Sequence, residues 1–219
     1  YAVWPLIRMG YYDEPYRFFD FSRRSLSGSG YLSHKYRADG ALGSSWHPYL
    51  HENGDVAPPI QTDETALVLF VFAQFYHTAG DEKLLADFYE SMVVPMADFL
   101  TDYIDTNTGL PKPSYDLWEE RFLTNTHTTA VTYAALVAAS ELAIVAGDEL
   151  SSVKWRNAAE DIQQAAKKYL FNKERQVFYR GLISNDDGSI TYDATIDNAA
   201  IFSSFMFGLF EADSPEIKA

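Results

Sequence analysis

The stretch TALVLFVFAQFYHTAGDEKL, residues 65–84, decides the fold class. Residues 65–77 are apolar on nearly every face of a helix, which is typical of a helix that is buried on all sides. Gly80 suits the left-handed C-terminus of that helix, and an amphipathic helix follows it directly. The stretch therefore predicts a helical hairpin that joins one buried helix to one half-exposed helix.

The same kind of turn recurs along the chain at a nearly constant spacing. Its turn residues are Gly10, Gly80, Gly147 and Ala212, which are 70, 67 and 65 positions apart. A repeat of this length predicts a series of stacked helical hairpins.

Buried and half-exposed helices alternate through this repeat. Residues 129–146 and 199–210 are apolar nearly all round, whereas residues 85–103 and 152–170 carry their apolar side chains in one stripe. The simplest arrangement is an inner layer and an outer layer of helices, so the predicted fold class is all-α, an α/α toroid. A flat α-solenoid is the alternative, although its helices would usually all be amphipathic.

Three long connections, residues 25–61, 105–125 and 171–195, lead from an outer helix to the next inner helix. We expect all three at one end of the domain, beside the N-termini of the inner helices. Loops of this length in a compact domain usually carry function. The third connection contains two alternating segments around a DDGS turn at residues 186–189, which predicts a small β-hairpin.

Acidic and aromatic side chains are concentrated on this loop face. Tryptophan offers a flat surface to the C–H face of a sugar ring, and carboxylates accept hydrogen bonds from sugar hydroxyls. The composition therefore favours a carbohydrate ligand, and Trp4 is expected nearby because it precedes the first inner helix. The residues of the loop face are Trp46, His47, Tyr49, Asp63, Glu64, Tyr115, Asp116, Trp118, Glu119 and Glu120.

Residues 116–121, DLWEER, are the strongest candidates for catalysis on that face. Cleavage of a glycosidic bond needs a carboxylic acid that stays protonated near neutral pH, and desolvation beside Trp118 would raise the pKa of a glutamic acid. Adjacent helical residues do not share a face, so one of Glu119 and Glu120 would face the cavity while the other pairs, with Arg121 as the suggested partner. The alternative is purely structural, because acidic residues are favoured at any helix N-terminus.

The composition argues against several other classes of function. A net charge of −14 disfavours nucleic acid and anionic membrane surfaces as partners. The chain has no cysteine, which excludes disulfides and fits a reducing, cytoplasmic compartment without settling the compartment. No stretch is interpreted as a membrane span, and no histidine pair has metal-ligand spacing, so neither metal nor cofactor is expected. His77 and His127 are interpreted as packing or capping residues.

Taken together and in this order, the motifs of the chain resemble those of glycoside hydrolase family 15, the glucoamylases and their prokaryotic relatives. The resemblance runs through most of the chain, and DLWEE between PIQTDETA and a buried helix is its most specific part. The matching segments are YAVWP (1–5), GYYDEPYRFFDF (10–21), DGALGSSWHPYL (39–50), PIQTDETALVLF (59–70), TGLPKPSYDLWEER (108–121) and HTTAVTYAAL (127–136).

The resemblance implies an (α/α)6 barrel whose enzymes release glucose from the non-reducing ends of α-glucosides with inversion. It implies that Glu119 is the general acid, that Glu120 and Asp116 hold the sugar or orient the acid, and that Trp46 is a substrate platform. The full set of expected substrate-binding residues is Trp4, Trp46, Asp116, Trp118, Glu120 and Arg121.

Three departures from the family pattern define what is expected of residues 1–219. The family follows Trp-Pro with an Arg-Asp pair that grips the terminal sugar, but here Trp4-Pro5 runs into LIRMG, as if about 10 Å of helix were absent. The catalytic base of the family lies in a region beyond Ala219, and only about six of twelve helices are counted. We therefore expect one partial catalytic domain that lacks the barrel start and the C-terminal third, exposes apolar helix faces and is inactive alone.

The leading functional hypothesis is an inverting, exo-acting hydrolase of maltooligosaccharides or related α-glucans. A disaccharide phosphorylase is a second enzymatic hypothesis, although no phosphate site is evident. A non-catalytic carbohydrate-binding or scaffold protein is favoured by the missing Arg-Asp pair and base, and a protein-interaction solenoid is weaker still. The linkage specificity and the oligomeric state stay open.

Overall fold

A computed structural model describes residues 2–44 and 60–219 of the chain. The protein is mostly helical with two small antiparallel sheets. Its helices are α1 (Val3–Arg8), α2 (Asp13–Ser25), α3 (Thr62–Ala79), α4 (Glu82–Phe88), α5 (Val94–Asp102), α6 (Thr126–Ala146), α7 (Glu149–Tyr169), α8 (Asn198–Met206) and α9 (Pro215–Lys218). Its strands are β1 (Ser114–Tyr115), β2 (Phe122–Asn125), β3 (Phe171–Asn172), β4 (Val177–Phe178), β5 (Gly181–Ser184) and β6 (Ile190–Asp193).

The helices alternate between two layers, as the hydrophobic pattern predicts. Helices α1, α3, α6 and α8 form an inner row in which each contacts the next. Helices α2, α5 and α7 pack against this row from one side: α2 against α1 and α3, α5 against α3 and α6, and α7 against α6. The rows share one apolar core whose largest side chains include Trp155, Phe19, Phe72 and Phe88.

Glycine ends the inner helices at the turns of the repeat. Gly80 and Gly147 are the left-handed C-caps of α3 and α6, and Gly10 after α1 also has a positive φ. The helix that follows begins at an aspartate, because the Asp81 and Asp148 side chains accept hydrogen bonds from the first-turn N–H groups of α4 and α7. These three turns confirm the predicted hairpins.

The fourth predicted hairpin differs from the prediction. Helix α8 covers Asn198–Met206 and stops short of residue 210, and the left-handed residue after it is Gly208 rather than Ala212. Its composition predicts burial on all faces, which is wrong, and the exposed apolar helix face expected of a partial domain is observed here instead. Among the described residues α8 packs mainly against α6, α9 and β4, and it therefore leaves a row of apolar side chains exposed: Ile201, Phe202, Phe205 and Met206.

The predicted outer helix over residues 85–103 is interrupted. A π-helical turn, Tyr89–Val93, lies between α4 and α5. Pro95 follows in the first turn of α5 and has no N–H to donate, so a regular α-helical bond at this place is impossible. The π turn is one of the usual ways in which a helix accommodates such a break.

Helix α6 contradicts the expectation that no segment is long and apolar enough to cross a bilayer. It is 21 residues long, its most apolar 18-residue window has a mean hydropathy of 1.7, and it meets that criterion by length and composition. However, 67% of its most apolar window is buried inside the protein, where α6 contacts α3, α5, α7 and α8. Its position at the centre of the helical core accounts for its apolar composition.

A four-stranded antiparallel sheet in the order β1-β2-β5-β6 joins the second and third long connections. Strands β5 and β6 form the predicted β-hairpin, and β2 pairs with β5 through Thr124–Leu182 and Asn125–Gly181. The two strands approach so closely that a Cβ on Gly181 would lie 2.1 Å from Leu123 Cδ1. The pairing places both connections at the N-terminal end of α6, which begins at the Asn125 cap.

Candidate active site

The DLWEER segment is the turn of a β-hairpin, and the prediction that it starts a helix is wrong. Strands β1 and β2 flank it, and Asp116 N–H donates to the Arg121 carbonyl while Glu119 N–H donates to the Asp116 carbonyl, at 2.9 and 2.8 Å. Glu119 has φ 59°, a left-handed conformation that is unusual for a residue other than glycine. Because the turn is not helical, its own hydrogen bonds rather than helical periodicity set the directions of Glu119 and Glu120.

A buried arginine, Arg180, binds two carboxylates of this turn. Its guanidinium donates to the Asp116 carboxylate through both Nε and a terminal nitrogen, and to Glu120 Oε2 at 3.0 Å. The other carboxylate oxygen of Asp116 accepts the backbone N–H groups of Glu120 and Arg121 at 2.9 and 3.1 Å. Asp116 is therefore a buried organiser of the turn, and the ion-pair partner of Glu120 is Arg180 instead of the expected Arg121, whose side chain is exposed.

Trp118 presents an exposed aromatic surface beside the turn. Trp118 is 54% exposed, although its indole Nε1–H donates to the Asp197 carboxylate at 3.1 and 3.2 Å. Asp197 also caps α8 by accepting the Ala199 N–H at 2.9 Å. The tryptophan therefore combines a defined orientation with an accessible ring, as a platform for an apolar sugar face requires.

The carboxylate of Glu119 lies at one end of a line of three ionisable side chains. His34 Nε2 is 3.7 Å from Glu119 Oε1, and His34 Nδ1 is 3.1 Å from Glu64 Oε1. His34 belongs to the first long connection, Glu64 to the first turn of α3 and Glu119 to the second connection. The first and second long connections thus meet at His34, a residue that the sequence alone does not single out, whereas the third meets the second through the sheet.

Glu64 differs electrostatically from an ordinary surface glutamate. Burial, reinforced by the charges of Asp63 and Glu119, raises the pKa of Glu64 to about 9. Its Oε2 atom is buried and has no hydrogen-bond partner in the described part of the chain. Glu64 is therefore a neutral carboxylic acid at pH 7. It lies with His34 on the wall of a mainly apolar cavity of about 250 Å³ between α1, α2 and α3.

The raised pKa of Glu64 implies that the free energy of unfolding of the protein depends on pH. A folded-state pKa of about 9 against an ordinary value of 4.5 means that the folded protein binds the Glu64 proton more tightly than the unfolded chain does. The stabilisation from Glu64 is complete below pH 4.5, declines as the pH rises above that value, and is lost above about pH 9. Relative to Glu64→Gln, the wild type should therefore lose free energy of unfolding between pH 5 and pH 9.

Urea unfolding of both proteins at pH 5, 7 and 9 measures this difference. Glu174→Gln, at an exposed turn between β3 and β4, is the matched control and should follow the wild type at each pH. Parallel pH curves for wild type and Glu64→Gln would show that Glu64 titrates as an ordinary glutamate.

The remaining predicted ligands fall into two groups. Trp46, together with His47 and Tyr49, lies outside the described residues. Trp4 is half-buried and packs edge-on against Phe70 of α3 at a centroid distance of 5.4 Å, with the Arg8 guanidinium 5.7 Å from its ring. These contacts lie within α1 and between α1 and the middle of α3, so the described contacts of Trp4 are with helices and not with the DLWEER turn.

A second constellation has the residue types of a hydrolytic triad but no access for a substrate. His127 Nδ1 is 2.6 Å from Ser203 Oγ, and His127 Nε2 is 3.5 Å from Asp63 Oδ2. All three residues are buried, so they tie the inner helices α3, α6 and α8 together. The interpretation of His127 as a packing residue is confirmed. Within residues 2–44 and 60–219, no group of three or more His, Cys, Asp or Glu side chains is placed to hold a metal ion.

Comparisons with known proteins agree with this architecture. The sequence model of the family described as Glycosyl hydrolases family 15 matches residues 2–204. An uncharacterized glycosyl hydrolase of Methanocaldococcus jannaschii is 25% identical over 200 residues, a match that covers 91% of this chain and 28% of the relative.

Solved structures with the same fold include a bacterial glucoamylase complexed with acarbose, with a TM-score of 0.65, 19% identity and coverage of 92% of this chain. A rhamnosidase from Klebsiella oxytoca with rhamnose bound also matches, with a TM-score of 0.62, 14% identity and coverage of 91% of this chain and 36% of that one. The chain spans only 28% of the glucoamylase, as it does of the archaeal relative.

Proposed function

This chain belongs to the glycosyl hydrolases of family 15, and from that premise we propose that it carries the proton-donor side of an inverting, exo-acting α-glucoside hydrolase. The proposed substrates are maltooligosaccharides or related α-glucans, from whose non-reducing ends glucose is released. In this proposal residues 1–219 are part of one (α/α)6 catalytic domain.

The observation that carries the proposal is that three neighbouring carboxylates have different partners and different exposure. Asp116 and Glu120 are both engaged by Arg180, and Asp116 is buried. Glu119 stands at the apex of the same turn in a left-handed conformation, its side chain is 42% exposed, and its carboxylate faces His34. Backbone strain that the surrounding contacts maintain is frequent at catalytic residues, where it aims a reactive group.

The reaction assigns a definite proton path to Glu119. Its carboxylic acid gives the Oε–H proton to the glycosidic oxygen, the bond from that oxygen to the anomeric carbon breaks, and the leaving sugar departs as a free hydroxyl. A water molecule then attacks the anomeric carbon from the opposite face and gives its proton to a second carboxylate. In inverting glycosidases the two carboxyl groups are about 6.5–9.5 Å apart, which leaves room for that water. We assign no residue of this chain to the base.

One structural neighbour supports an α-glucan substrate, and a second shows that the fold also accommodates another sugar. The glucoamylase neighbour is complexed with acarbose, which favours an α-glucan substrate here. The rhamnosidase neighbour has almost the same structural similarity, so the helical fold alone does not distinguish glucose from rhamnose. Trp118 and the carboxylates of the turn are the local features that favour a sugar ligand over the protein-interaction hypothesis.

The stereochemistry of the product tests the proposal. The protein as its organism makes it is incubated with maltotriose, and the first glucose released is followed by proton NMR before it mutarotates. We expect β-glucose from the α-linked substrate, one glucose per turnover, at a rate independent of added phosphate. α-Glucose would contradict inversion, and glucose 1-phosphate in place of glucose would identify a phosphorylase. Binding without turnover would support the non-catalytic alternative.

A further inference from the structure

We propose that His34 is a positioning residue that connects Glu119 with the carboxyl group of Glu64, so that a proton held on Glu64 returns to Glu119 after each turnover. The inference rests on the proposed role of Glu119 as general acid. An acid that has given its proton to a leaving group must be reprotonated before the next substrate reacts. The line of three side chains offers a short path inside the protein for this step.

The geometry allows a relay because the two glutamates approach opposite nitrogens of one imidazole ring. Glu64 Oε1 lies 3.1 Å from Nδ1, which is within hydrogen-bond distance, and Glu119 Oε1 lies 3.7 Å from Nε2. The second distance is beyond a direct hydrogen bond and must shorten by about 0.7 Å. Catalytic hydrogen bonds are often long without substrate and tighten when it binds.

The segment that carries His34 is fastened at the two residues that precede the histidine. Leu32 N–H donates to Thr65 Oγ1 at 2.9 Å, directly beside Glu64 on α3. Ser33 N–H donates to Tyr36 Oη at 2.7 Å, and Tyr36 Oη–H donates to the Ser25 carbonyl at 3.0 Å. These bonds fix the backbone of His34 against α2 and α3, so its ring is held between the two carboxyl groups.

The surroundings of Glu64 suit a group that stores a proton. Its Oε2 atom is buried without a partner in the described part of the chain, and its neighbours in the cavity wall are largely apolar, including Leu67, Val68 and Leu32. Among residues 2–44 and 60–219, the charged or titratable groups that face the line are Glu119 on the hairpin turn, Tyr36 on the segment of His34, and Asp63 on α3. Asp63 is directed at Thr128 and His127 and acts on Glu64 only through its charge.

The transfer balances in protons. At the start Glu64 is protonated and donates to His34 Nδ1, while His34 carries its own proton on Nε2 and Glu119 is a carboxylate. The Glu64 O–H bond breaks as an Nδ1–H bond forms, and the Nε2–H bond breaks as the Glu119 O–H bond forms. The imidazole remains neutral with its proton on the other nitrogen. Glu64 is then a carboxylate. After Glu119 has given its proton to the substrate, a proton from solvent binds to His34 Nε2 and the Nδ1 proton passes back to Glu64, which restores the first tautomer.

The experiment compares wild type, His34→Gln and Glu64→Gln, each in the protein as its organism makes it. Two substrates separate proton delivery from other effects. The leaving group of maltose needs a proton, whereas the fluoride ion of α-glucosyl fluoride leaves without one. We expect kcat on maltose to fall about 10-fold or more in both variants, with its alkaline limb at lower pH, while kcat on the fluoride changes less than about 2-fold. His77→Gln, at the exposed end of α3, is the matched control and should equal the wild type.

Nitrogen-15 NMR of the His34 imidazole gives a readout that does not depend on turnover. We expect the ring of the resting protein to carry its proton on Nε2, because Nδ1 accepts the Glu64 proton. A ring that carries its proton on Nδ1, or an equal loss of kcat on both substrates, would overturn the relay. If Glu119→Gln hydrolysed maltose like the wild type, the proposed function would fail instead, even with the proton on Nε2.

Discussion

Replacing Glu119 by Gln should lower kcat for maltose by about 10²–10⁴-fold, because general acid catalysis contributes a factor of that size. The amide keeps the size and hydrogen-bonding shape of the side chain but has no acidic proton to give to the leaving oxygen. Since the turn is held by Asp116 and Arg180, its conformation should persist in the variant. Steady-state kinetics on maltose measures the effect.

Two controls show whether the loss is specific to proton donation. Glu174→Gln removes the same charge at an exposed turn and should retain wild-type activity. α-Glucosyl fluoride needs no proton on its leaving group, so Glu119→Gln should hydrolyse it at a rate within about 10-fold of the wild type. If both substrates lost activity equally, Glu119 would have a structural role and not that of the acid.

Replacing Arg180 by Met should lower the free energy of unfolding by about 3–5 kcal/mol, because it leaves the buried Asp116 carboxylate without its counter-charge. Arg180 and Asp116 are both almost fully buried, and two guanidinium nitrogens donate to one carboxylate oxygen, Oδ2. The same change should displace the turn that carries Glu119, so activity on maltose should fall as well. Urea unfolding measures the free energy of unfolding.

A second substitution tests the cause of that destabilisation. Asp116→Asn, added to Arg180→Met, removes the stranded charge but keeps the oxygen that accepts the N–H groups of Glu120 and Arg121, so the double variant should regain at least half of the loss. Arg156→Met, which breaks a surface pair with Glu141 at 3.5 Å, should lower the free energy of unfolding by less than about 1 kcal/mol. An Arg180→Met protein as stable as Arg156→Met would refute the buried-charge argument.

The helical part of the fold was predictable because its signals are local. The all-apolar segments, the glycines at positions 80 and 147 and the aspartates after them specify where helices begin and end within a few residues of chain. The composition of α8 alone predicts burial, because an all-apolar segment does not reveal how many neighbours it has; an exposed apolar face was expected only from the interpretation of residues 1–219 as a partial domain. The π turn before Pro95 is likewise a tertiary adjustment that leaves the apolar stripe unchanged.

The candidate site was predictable in its residues but not in its geometry. The acids and tryptophan of DLWEER mark a candidate catalytic segment, but its conformation depends on the pairing of β2 with β5, which is more than fifty residues away in the sequence. The partners that orient the carboxylates, His34 and Arg180, are 85 and 61 positions from Glu119 and belong to no recognisable local motif. Side chains that act through distant contacts leave no periodic signal in a single sequence.

The four-stranded sheet also determines how the two long connections can be exchanged among related proteins. Leu123 of the second connection fills the space above Gly181 of the third, where a Cβ would lie 2.1 Å from its methyl group. A donor loop that brings alanine or a larger residue to position 181 would therefore clash unless its partner loop were transplanted with it. For recombination and for loop grafting, residues 114–125 and 181–193 form a single module.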